Sequence, residues 1–334
     1  MTDTTAKRRA LIILSSARAL PLSSPPSTPQ IPIGFFHVEL AQVLAEFEGD
    51  YEFTLATPDG APPQIDVNGF SLPWHATDRM TEVYASSVAA FSAPDFDIDA
   101  YRREHADLVE RRERELQLLE RHLGRLPITE PLPSTDAEVR AFRPEVVRRV
   151  DALAPRPYLS LSELIGRHRD PSEPFSLADF DFIHAPGGHA PMVDFHKNAW
   201  LGEVLHTARE NGVYISLICH APIALTSTNL RVDADGAVYT VEDNVFASAE
   251  VTTVGREGET GMLDQGYVHI PPGPTRLEYF VDEGLREAGF TVATAPIPTS
   301  LILLSDNEIG LVTGNGPQTV DIQAADIRAT VDKT

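Results

Sequence analysis

The only cysteine of the 334-residue chain lies in the stretch Val213-Tyr-Ile-Ser-Leu-Ile-Cys219-His220-Ala-Pro222. The apolar, β-favouring residues before it predict a strand, and Pro222 suits the first turn of a helix. A cysteine on such a strand–turn–helix elbow is pushed out of the sheet as a nucleophile. The positive end of the new helix would lower the thiol pKa and favour the thiolate. The alternative is a buried, inert cysteine at the end of a strand.

Two further stretches carry groups that could act with this thiol. The run Phe180-Asp-Phe-Ile-His-Ala predicts a strand that leads into Pro186-Gly187-Gly188-His189-Ala-Pro-Met-Val-Asp194. A glycine pair lets backbone N–H groups point at a ligand oxygen. Glu39, at the start of a predicted helix, offers a carboxyl group for proton transfer. In a parallel sheet these groups would meet at the carboxyl edge, where open α/β folds place their sites.

The elements that must position these groups alternate between strand and helix. Arg9 to Ser15 predicts a first strand, Gly34 to Phe47 an amphipathic helix, and Glu52 to Thr57 a second strand. Two such units in a row indicate an α/β fold with a doubly wound, mostly parallel sheet flanked by helices. Pro21 to Pro32 is too rich in proline to predict regular structure.

Residues 97–170 interrupt this order with a strongly charged helical segment. We interpret residues 1–334 as one α/β domain that contains this segment as a helical insertion or cap. It could decorate the surface, cover a site as a lid, or form a dimer contact.

Composition narrows the choice of partners. A formal net charge of −22 argues against binding to nucleic acid or to an anionic membrane. The chain has no run of eighteen apolar residues, so the sequence does not predict a membrane span. A single cysteine excludes an internal disulfide and fits a cytoplasmic location. A small-molecule substrate is the partner that remains.

Three motifs together resemble the ThiJ/PfpI superfamily, whose fold is related to that of class I glutamine amidotransferases. They are Gly34-Phe-Phe-His-Val-Glu39, the glycine stretch from Pro186 to Asp194, and Cys219-His220-Ala-Pro222. The closest branch is that of the heat-shock glyoxalase III chaperones, and Leu311-Val-Thr-Gly-Asn-Gly-Pro-Gln-Thr resembles its closing segment. The resemblance covers about residues 8–60, 178–245 and 275–325, and it implies a flavodoxin-like sheet and an active site without a cofactor.

The resemblance also implies roles for individual residues. Cys219 would be the nucleophile, His220 its base and Glu39 the carboxyl partner of the thiol. The backbone N–H groups of Gly188 and His220 would form an oxyanion site, next to Gly187, His189 and Ala221. Alanine stands at positions 190 and 221, where relatives often have glycine, so a narrower space for substrate is expected.

An acid about thirty residues after the cysteine would orient His220. In this chain that region offers Asp243, which we favour, and then Glu242. His189 and Asp194 are expected to brace the glycine turn by hydrogen bonds. His37 could line the pocket or face solvent, and His184, at the end of a strand, is expected to be a core or rim histidine. No spacing matches a metal signature, so neither a metal nor a cofactor is expected.

The predicted function is a glyoxalase III-like lyase that converts methylglyoxal to lactate. Two alternatives stay open: a hydratase, lyase or hydrolase acting on a larger metabolite under the helical cap, and a stress-response holdase chaperone. A glutamine amidotransferase would need a downstream His-x-Glu pair, and the only later histidine, His269, has none. Because relatives are commonly dimers, a homodimer is expected.

Overall fold

The strands of the chain group into one large sheet and three small ones. The computed structural model describes residues 7–91, 95–271, 273–297 and 299–333. In these ranges the strands are β1 (Arg8–Ile13), β2 (Ala19–Ser24), β3 (Gln30–Pro32), β4 (Tyr51–Thr57), β5 (Leu159–Ser160), β6 (Phe182–Ala185), β7 (Tyr214–Ile218), β8 (Leu230–Val232), β9 (Val238–Thr240), β10 (Glu250–Thr252), β11 (Arg276–Leu277), β12 (Thr291–Ala293), β13 (Leu303–Asp306) and β14 (Leu311–Gly314).

The large sheet has seven strands in the order β13-β14-β7-β6-β1-β4-β5. All neighbours are parallel except β13, which runs antiparallel to β14 at the edge. The register pairs Leu11 with Ile183 and Ile183 with Ile215, so the carboxyl ends of β1, β6 and β7 lie side by side. This arrangement confirms the predicted doubly wound, mostly parallel α/β sheet.

Helices cover both faces of this sheet. They are α1 (Val38–Phe47), α2 (Met80–Phe91), α3 (Ile98–Glu104), α4 (Ala106–His122), α5 (Ala137–Asp151), α6 (Leu161–Arg169), α7 (Pro191–Asp194), α8 (Ala199–Glu210), α9 (Arg256–Asp264), α10 (Val281–Glu287) and α11 (Val320–Val331). Short 3₁₀ helices span Val67–Phe70, Leu72–Arg79, Leu177–Asp179, Ala221–Asn229, Val245–Ser248 and Pro317–Thr319.

Side chains of the central strands alternate between two apolar cores, as the two-residue period of a strand requires. Leu11 and Ile13 of β1 face a core that also holds side chains of α6 and α8. Ile12 of β1 faces the opposite core, which is built with α1, α4 and α5. Because β1, β6 and β7 are buried on both faces, their ends are rigid supports for the loops that follow.

The sequence predicted no regular structure for the proline-rich stretch, but the structure has strands there. Ala19–Ser24 and Gln30–Pro32 pair as antiparallel strands, and β11 extends them to a three-stranded sheet. Proline lacks an N–H donor, but it can occupy a short, peripheral strand where that donor is not needed. Here the carbonyl of Pro29 accepts a hydrogen bond from the amide of Leu22.

The segment 97–170 contains α3 to α6 and the edge strand β5. Its α4 packs on α1, and its side chains Leu116 and Leu119 lie in the same core as Ile12. The segment therefore shares its core with the main sheet. No described helix has the length and apolar character that a membrane span requires.

Candidate active site

Cys219 lies on a sharp turn at the carboxyl end of the central strand β7. Its φ of 63° is in the left-handed region, which costs a residue with a side chain about 1–3 kcal/mol. The turn is held from both sides: its amide donates to the carbonyl of Gly314 at 2.8 Å, and its carbonyl accepts from the hydroxyl of Thr253 at 2.6 Å. A 3₁₀ helix starts at Ala221. The structure thus has the nucleophile elbow that the sequence predicts.

Glu39, in the first turn of α1, lies beside the thiol. Its side chain is fully buried, and Oε2 accepts a hydrogen bond of 2.7 Å from the amide of Gly187. Oε1 has no hydrogen-bond partner among the described residues. Burial raises the pKa of Glu39 to about 7, although the Cys219 thiol and the Gly187 and Gly188 amides favour the ionised form. This carboxyl group can therefore gain or lose a proton near neutral pH.

The glycine pair fits between the elbow and the start of α1. A Cβ atom on Gly187 would lie 2.7 Å from Cβ of Cys219, and one on Gly188 would lie 2.3 Å from the carbonyl oxygen of Gly34. Gly188 also has a φ of 74°. Only glycine fits at either place without a shift of the backbone. The pair allows Glu39 and Cys219 to approach each other.

His220 connects the thiol to a carboxylate. Its Nδ1 is 3.2 Å from Sγ of Cys219, and its Nε2 is 3.0 Å from Oε1 of Glu259, which lies in α9. With the proton on Nε2, the ring donates to Glu259 and presents the Nδ1 lone pair to the thiol. The three groups therefore lie in the order thiol, imidazole and carboxylate.

His189 shares the same carboxylate. Its Nε2 is 2.8 Å from Oε1 of Glu259. Burial opposes a charge on each group, but the two rings hold the pKa of Glu259 well below its usual range, and Glu259 raises the pKa of His189. Burial lowers the pKa of His220, with partial compensation from Glu259. His189 and Glu259 thus favour an ion pair, while His220 favours the neutral form that can act as a base.

The expectation of a lowered thiol pKa is wrong for this structure. Burial raises the pKa of Cys219 well above its ordinary value, and the negative charge of Glu39 raises it further. The helix after the elbow is a 3₁₀ helix, and the negative charge of Glu259 also raises the thiol pKa. The thiolate must therefore form by proton transfer to a neighbouring base.

The orienting acid is not Asp243. Asp243 and Glu242 are both exposed in the loop after β9, whereas Glu259 is buried against His220. Sequence spacing could not give the position of α9, since the chain passes through β10 before it returns to the site. A usable signal was the helical spacing of Glu259, Met262 and Leu263, which puts this acid on the apolar face of α9.

The remaining predicted residues lie around this centre. Gly187 uses its amide on Glu39, and Ala221 is fully buried beneath the elbow. Asp194 does not contact His189: it accepts hydrogen bonds from Ser15, Ser16 and Ala17 and so fixes the end of β1. Neither side chain has a described hydrogen bond to the glycine pair, since His189 contacts Glu259 and Asp194 contacts the residues after β1, so the expectation that they brace the glycine turn is not supported.

The other two histidines lie deeper in the protein. His184 is buried between the Ser216 hydroxyl at 3.0 Å and the backbone carbonyl of Glu39 at 3.0 Å, so it is a core histidine that supports α1. His37 is fully buried, stacked on Phe70. It does not face solvent.

Two groups of side chains in the described ranges have a composition that a metal ion could use. They are His189 with His220 and Glu259, and His37 with His75 and Glu115; in each group the potential ligand atoms lie within 4.8 Å of one another. In the second group Glu115 already accepts from His75, Gln42 and Arg111. The first group lies in the site itself, where its hydrogen bonds explain its geometry.

The thiol opens into a cavity of about 50 Å³. Phe36, Trp74, Met80, Val254, Met262 and Tyr267 form apolar walls. Gly188, His189, Cys219, His220 and Glu259 lie at the reacting end, and Thr299, Asn315, Gly316, Pro317 and Gln318 complete the lining. None of these lining residues comes from the helical segment 97–170, so the described structure gives no support to that segment as a lid on the thiol.

Taken together, the sheet and the elbow define a flavodoxin-like α/β protein with a buried cysteine centre. No family model matches the chain. Over 138 residues, 41% of the chain, it is 28% identical to the probable glutathione-independent glyoxalase hsp3103 of Schizosaccharomyces pombe, and over 142 residues it is 28% identical to the glutathione-independent glyoxalase hsp3102 of the same yeast. These matches agree with the resemblance found in the sequence, since both named relatives are glutathione-independent glyoxalases.

The matches cover 48% and 53% of the two yeast proteins, so the chain spans about half the length of the curated relatives that it matches. A solved structure gives a wider comparison of fold. The crystal structure of the Rapid Encystment Protein 24 kDa of Francisella tularensis aligns with 97% of this chain and 99% of its own, at a TM-score of 0.55 and 16% identity. This likeness supports the fold alone.

Proposed function

We propose that the protein is a cofactor-independent, glyoxalase III-like enzyme that converts methylglyoxal to lactate through Cys219. The observation that carries the proposal is the hydrogen-bonded series Cys219–His220–Glu259, with a carboxyl group of pKa about 7 beside the same thiol. The similarity to named glutathione-independent glyoxalases supports the same reaction class.

The first step is addition of the thiol to the aldehyde. His220 Nδ1, 3.2 Å from Sγ, accepts the thiol proton as the new S–C bond forms. The aldehyde oxygen becomes an oxyanion, to which the N–H groups of Gly188 and His220 are proposed to donate. It then takes up the proton held by His220, which gives a hemithioacetal and returns His220 to its neutral form. Glu259 stabilises the imidazolium formed in this step.

The second step moves a proton between two carbons. Ionised Glu39 removes the proton from the former aldehyde carbon and returns one to the neighbouring carbon, while the hydroxyl proton passes from the first oxygen to the second through an enediol. The product is a thioester of the hydroxy acid. Oxidation of one carbon is balanced by reduction of its neighbour, so the step needs no external oxidant or reductant.

The third step releases the product. Water, activated by neutral His220, attacks the thioester carbonyl, the S–C bond breaks and the thiol regains its proton. The sum is methylglyoxal plus water to lactate. Removal of the thiol should therefore abolish turnover, and a Cys219→Ser variant that retained substantial activity would exclude this mechanism.

A holdase chaperone remains a second hypothesis, and it requires exposed apolar surface but no competent thiol. Suppression of client aggregation by Cys219→Ser protein that has lost turnover would show that both activities coexist. The structure favours the enzyme, because its conspicuous feature is a buried and ordered thiol centre.

A further inference from the structure

The described lining of the cavity at Cys219 offers no unpaired cation that could neutralise an acidic substrate. None of its described lining residues is a lysine or an arginine. His189 is the one described lining residue that favours a positive charge, but its ring already pairs with the carboxylate of Glu259 at 2.8 Å. Behind the thiol, Glu39 adds a further acidic group. A carboxylate or phosphate entering here would lose its hydration without gaining a counterion, which is costly in an apolar site.

The cavity also has a small volume. One water molecule needs about 10–15 Å³ of such space, so a cavity of about 50 Å³ holds about three to five non-hydrogen atoms. Methylglyoxal has this size. A substrate with an aromatic ring or a sugar chain next to its carbonyl group is too large to lie wholly within this volume.

Trp74 and Tyr267 line the boundary between the cavity at Cys219 and a larger one. Their ring centroids are 5.8 Å apart in a T-shaped contact, and both residues also line a second cavity of about 470 Å³. The indole N–H donates to the carbonyl of Asn68 at 3.0 Å, and Phe36 and Tyr84 pack near the same ring. The indole is therefore held as a fixed wall between the two cavities.

The helical segment lines only the far side of this wall. Pro133, Ser134, Thr135, Asp136, Ala137 and Arg140 line the larger cavity. Trp74 and Tyr267 therefore stand between a ligand in the larger cavity and the thiol.

We infer that the cavity at Cys219 disfavours charged substrates, and that Trp74, backed by Tyr267, sets the upper limit on substrate length. This inference rests on the proposed function for the identity of the substrate. The selectivity itself belongs to the cavity, and it can be measured without turnover.

Charge selection is tested with two thiol reagents of nearly equal size, iodoacetamide and iodoacetate. Cys219 is the only cysteine, so labelling of the native protein reports on this site alone. For Cys219, the labelling rate with iodoacetamide divided by that with iodoacetate should be at least tenfold larger than the same ratio for 2-mercaptoethanol. Because one thiol reacts with both reagents, its pKa does not affect the ratio. An equal ratio, or no labelling of the folded protein by either reagent, would overturn the inference.

Size selection is tested with N-methylmaleimide and N-benzylmaleimide, which are both uncharged. The wild-type protein should prefer the smaller reagent by at least tenfold relative to 2-mercaptoethanol. Trp74→Ala should reduce this preference to within about threefold of the free thiol, and Trp74→Phe should give an intermediate value. Trp200, the other tryptophan, lies on α8 outside the cavity, so Trp200→Ala is the matched control and should behave as wild type.

Two outcomes would overturn the size limit: no preference in the wild type, which requires no variant to fold, or an unchanged preference in folded Trp74→Ala. Turnover separates this failure from failure of the proposed function. Methylglyoxal should be consumed and phenylglyoxal spared, with Trp74→Ala raising kcat/KM for phenylglyoxal at least tenfold. Selective labelling without any methylglyoxal turnover would refute the reaction and leave the cavity's selectivity established.

Discussion

Oε1 of Glu259 lies 3.0 Å from Nε2 of His220, so the acid that orients the candidate base comes from α9 and not from the loop after β9. This contact fixes the ring so that Nδ1 faces the thiol. Mutations can therefore distinguish Glu259 from Asp243 and Glu242, the acids that sequence spacing favoured.

Replacement of Glu259 by Gln should lower kcat by about 10²-fold or more, the size of a general-base contribution. Gln still fills the space but no longer stabilises the imidazolium or supplies a carboxylate to His189. Steady-state kinetics with methylglyoxal measure the effect. Asp243→Asn, on the exposed loop, is the control and should match wild type; a large loss in that control with an active Glu259→Gln would reverse the assignment.

The activity should follow the ionisation of Glu39. Because its pKa is about 7, the base form is lost below neutral pH, and kcat/KM should fall about tenfold per pH unit at the acidic end. A pH–rate profile measures this limb. In Glu39→Gln most activity and the limb itself should disappear, so a residual activity that keeps the same acidic limb would contradict the assignment.

The same raised pKa predicts an opposite dependence of stability on pH. Between 4.5, its ordinary value, and about 7, the folded protein holds a proton on Glu39 that the unfolded chain releases, so the folded state loses stability as pH rises. A shift of this size corresponds to about 3 kcal/mol. Denaturant unfolding should therefore show Glu39→Gln gaining about 3 kcal/mol on wild type between pH 4.5 and pH 8, whereas a constant difference would argue against the raised pKa.

Gly187 should tolerate no side chain. In Gly187→Ala the new Cβ would meet Cβ of Cys219 at 2.7 Å and the amide of His220 at 2.8 Å, so we expect a loss of about 1–3 kcal/mol and of most activity. Gly166→Ala is the matched control, since a Cβ there has no described atom within 4 Å and lies in helix α6. That variant should gain up to about 1 kcal/mol with activity unchanged. Equal behaviour of the two variants in thermal unfolding would contradict the tight fit.

The helical segment should matter for stability more than for chemistry. Arg112 makes two hydrogen bonds to Glu138, of 2.7 and 2.8 Å, and both side chains are almost fully buried. Arg112→Leu leaves a buried carboxylate with less compensation and should cost about 3–5 kcal/mol. Arg79→Leu removes an exposed ion pair with Asp107 and should cost less than about 1 kcal/mol. The kcat of folded Arg112→Leu protein should equal that of wild type; a changed kcat would give the segment a role at the site.

Local sequence patterns were sufficient for much of the fold. The apolar runs of β1, β6 and β7 and the turn residues around them predict the parallel sheet, because a strand buried on both faces needs such a run. The strands at Ala19–Ser24 and Gln30–Pro32 were missed, since proline content does not reveal which amides lack a partner in a peripheral strand.

The site likewise contains residues that local sequence patterns predict and residues that they do not. Cys219, Glu39 and the glycine pair lie directly after or before strong strand and helix signals, so their convergence follows from the parallel sheet. Glu259 and Trp74 come from connections whose paths depend on tertiary packing, and no local pattern gives such a path. The thiol pKa was mispredicted for the same reason: it depends on burial and on Glu39 across the sheet edge, not on the adjacent helix.

The most direct test of the account is consumption of methylglyoxal by the purified protein in the absence of glutathione, with lactate measured as product. The wild type should turn over, Cys219→Ser should not, and Glu39→Gln should lose most of its activity while remaining folded by circular dichroism. Lactate formation that survives in Cys219→Ser, or a folded wild type that produces no lactate, would contradict the proposed reaction.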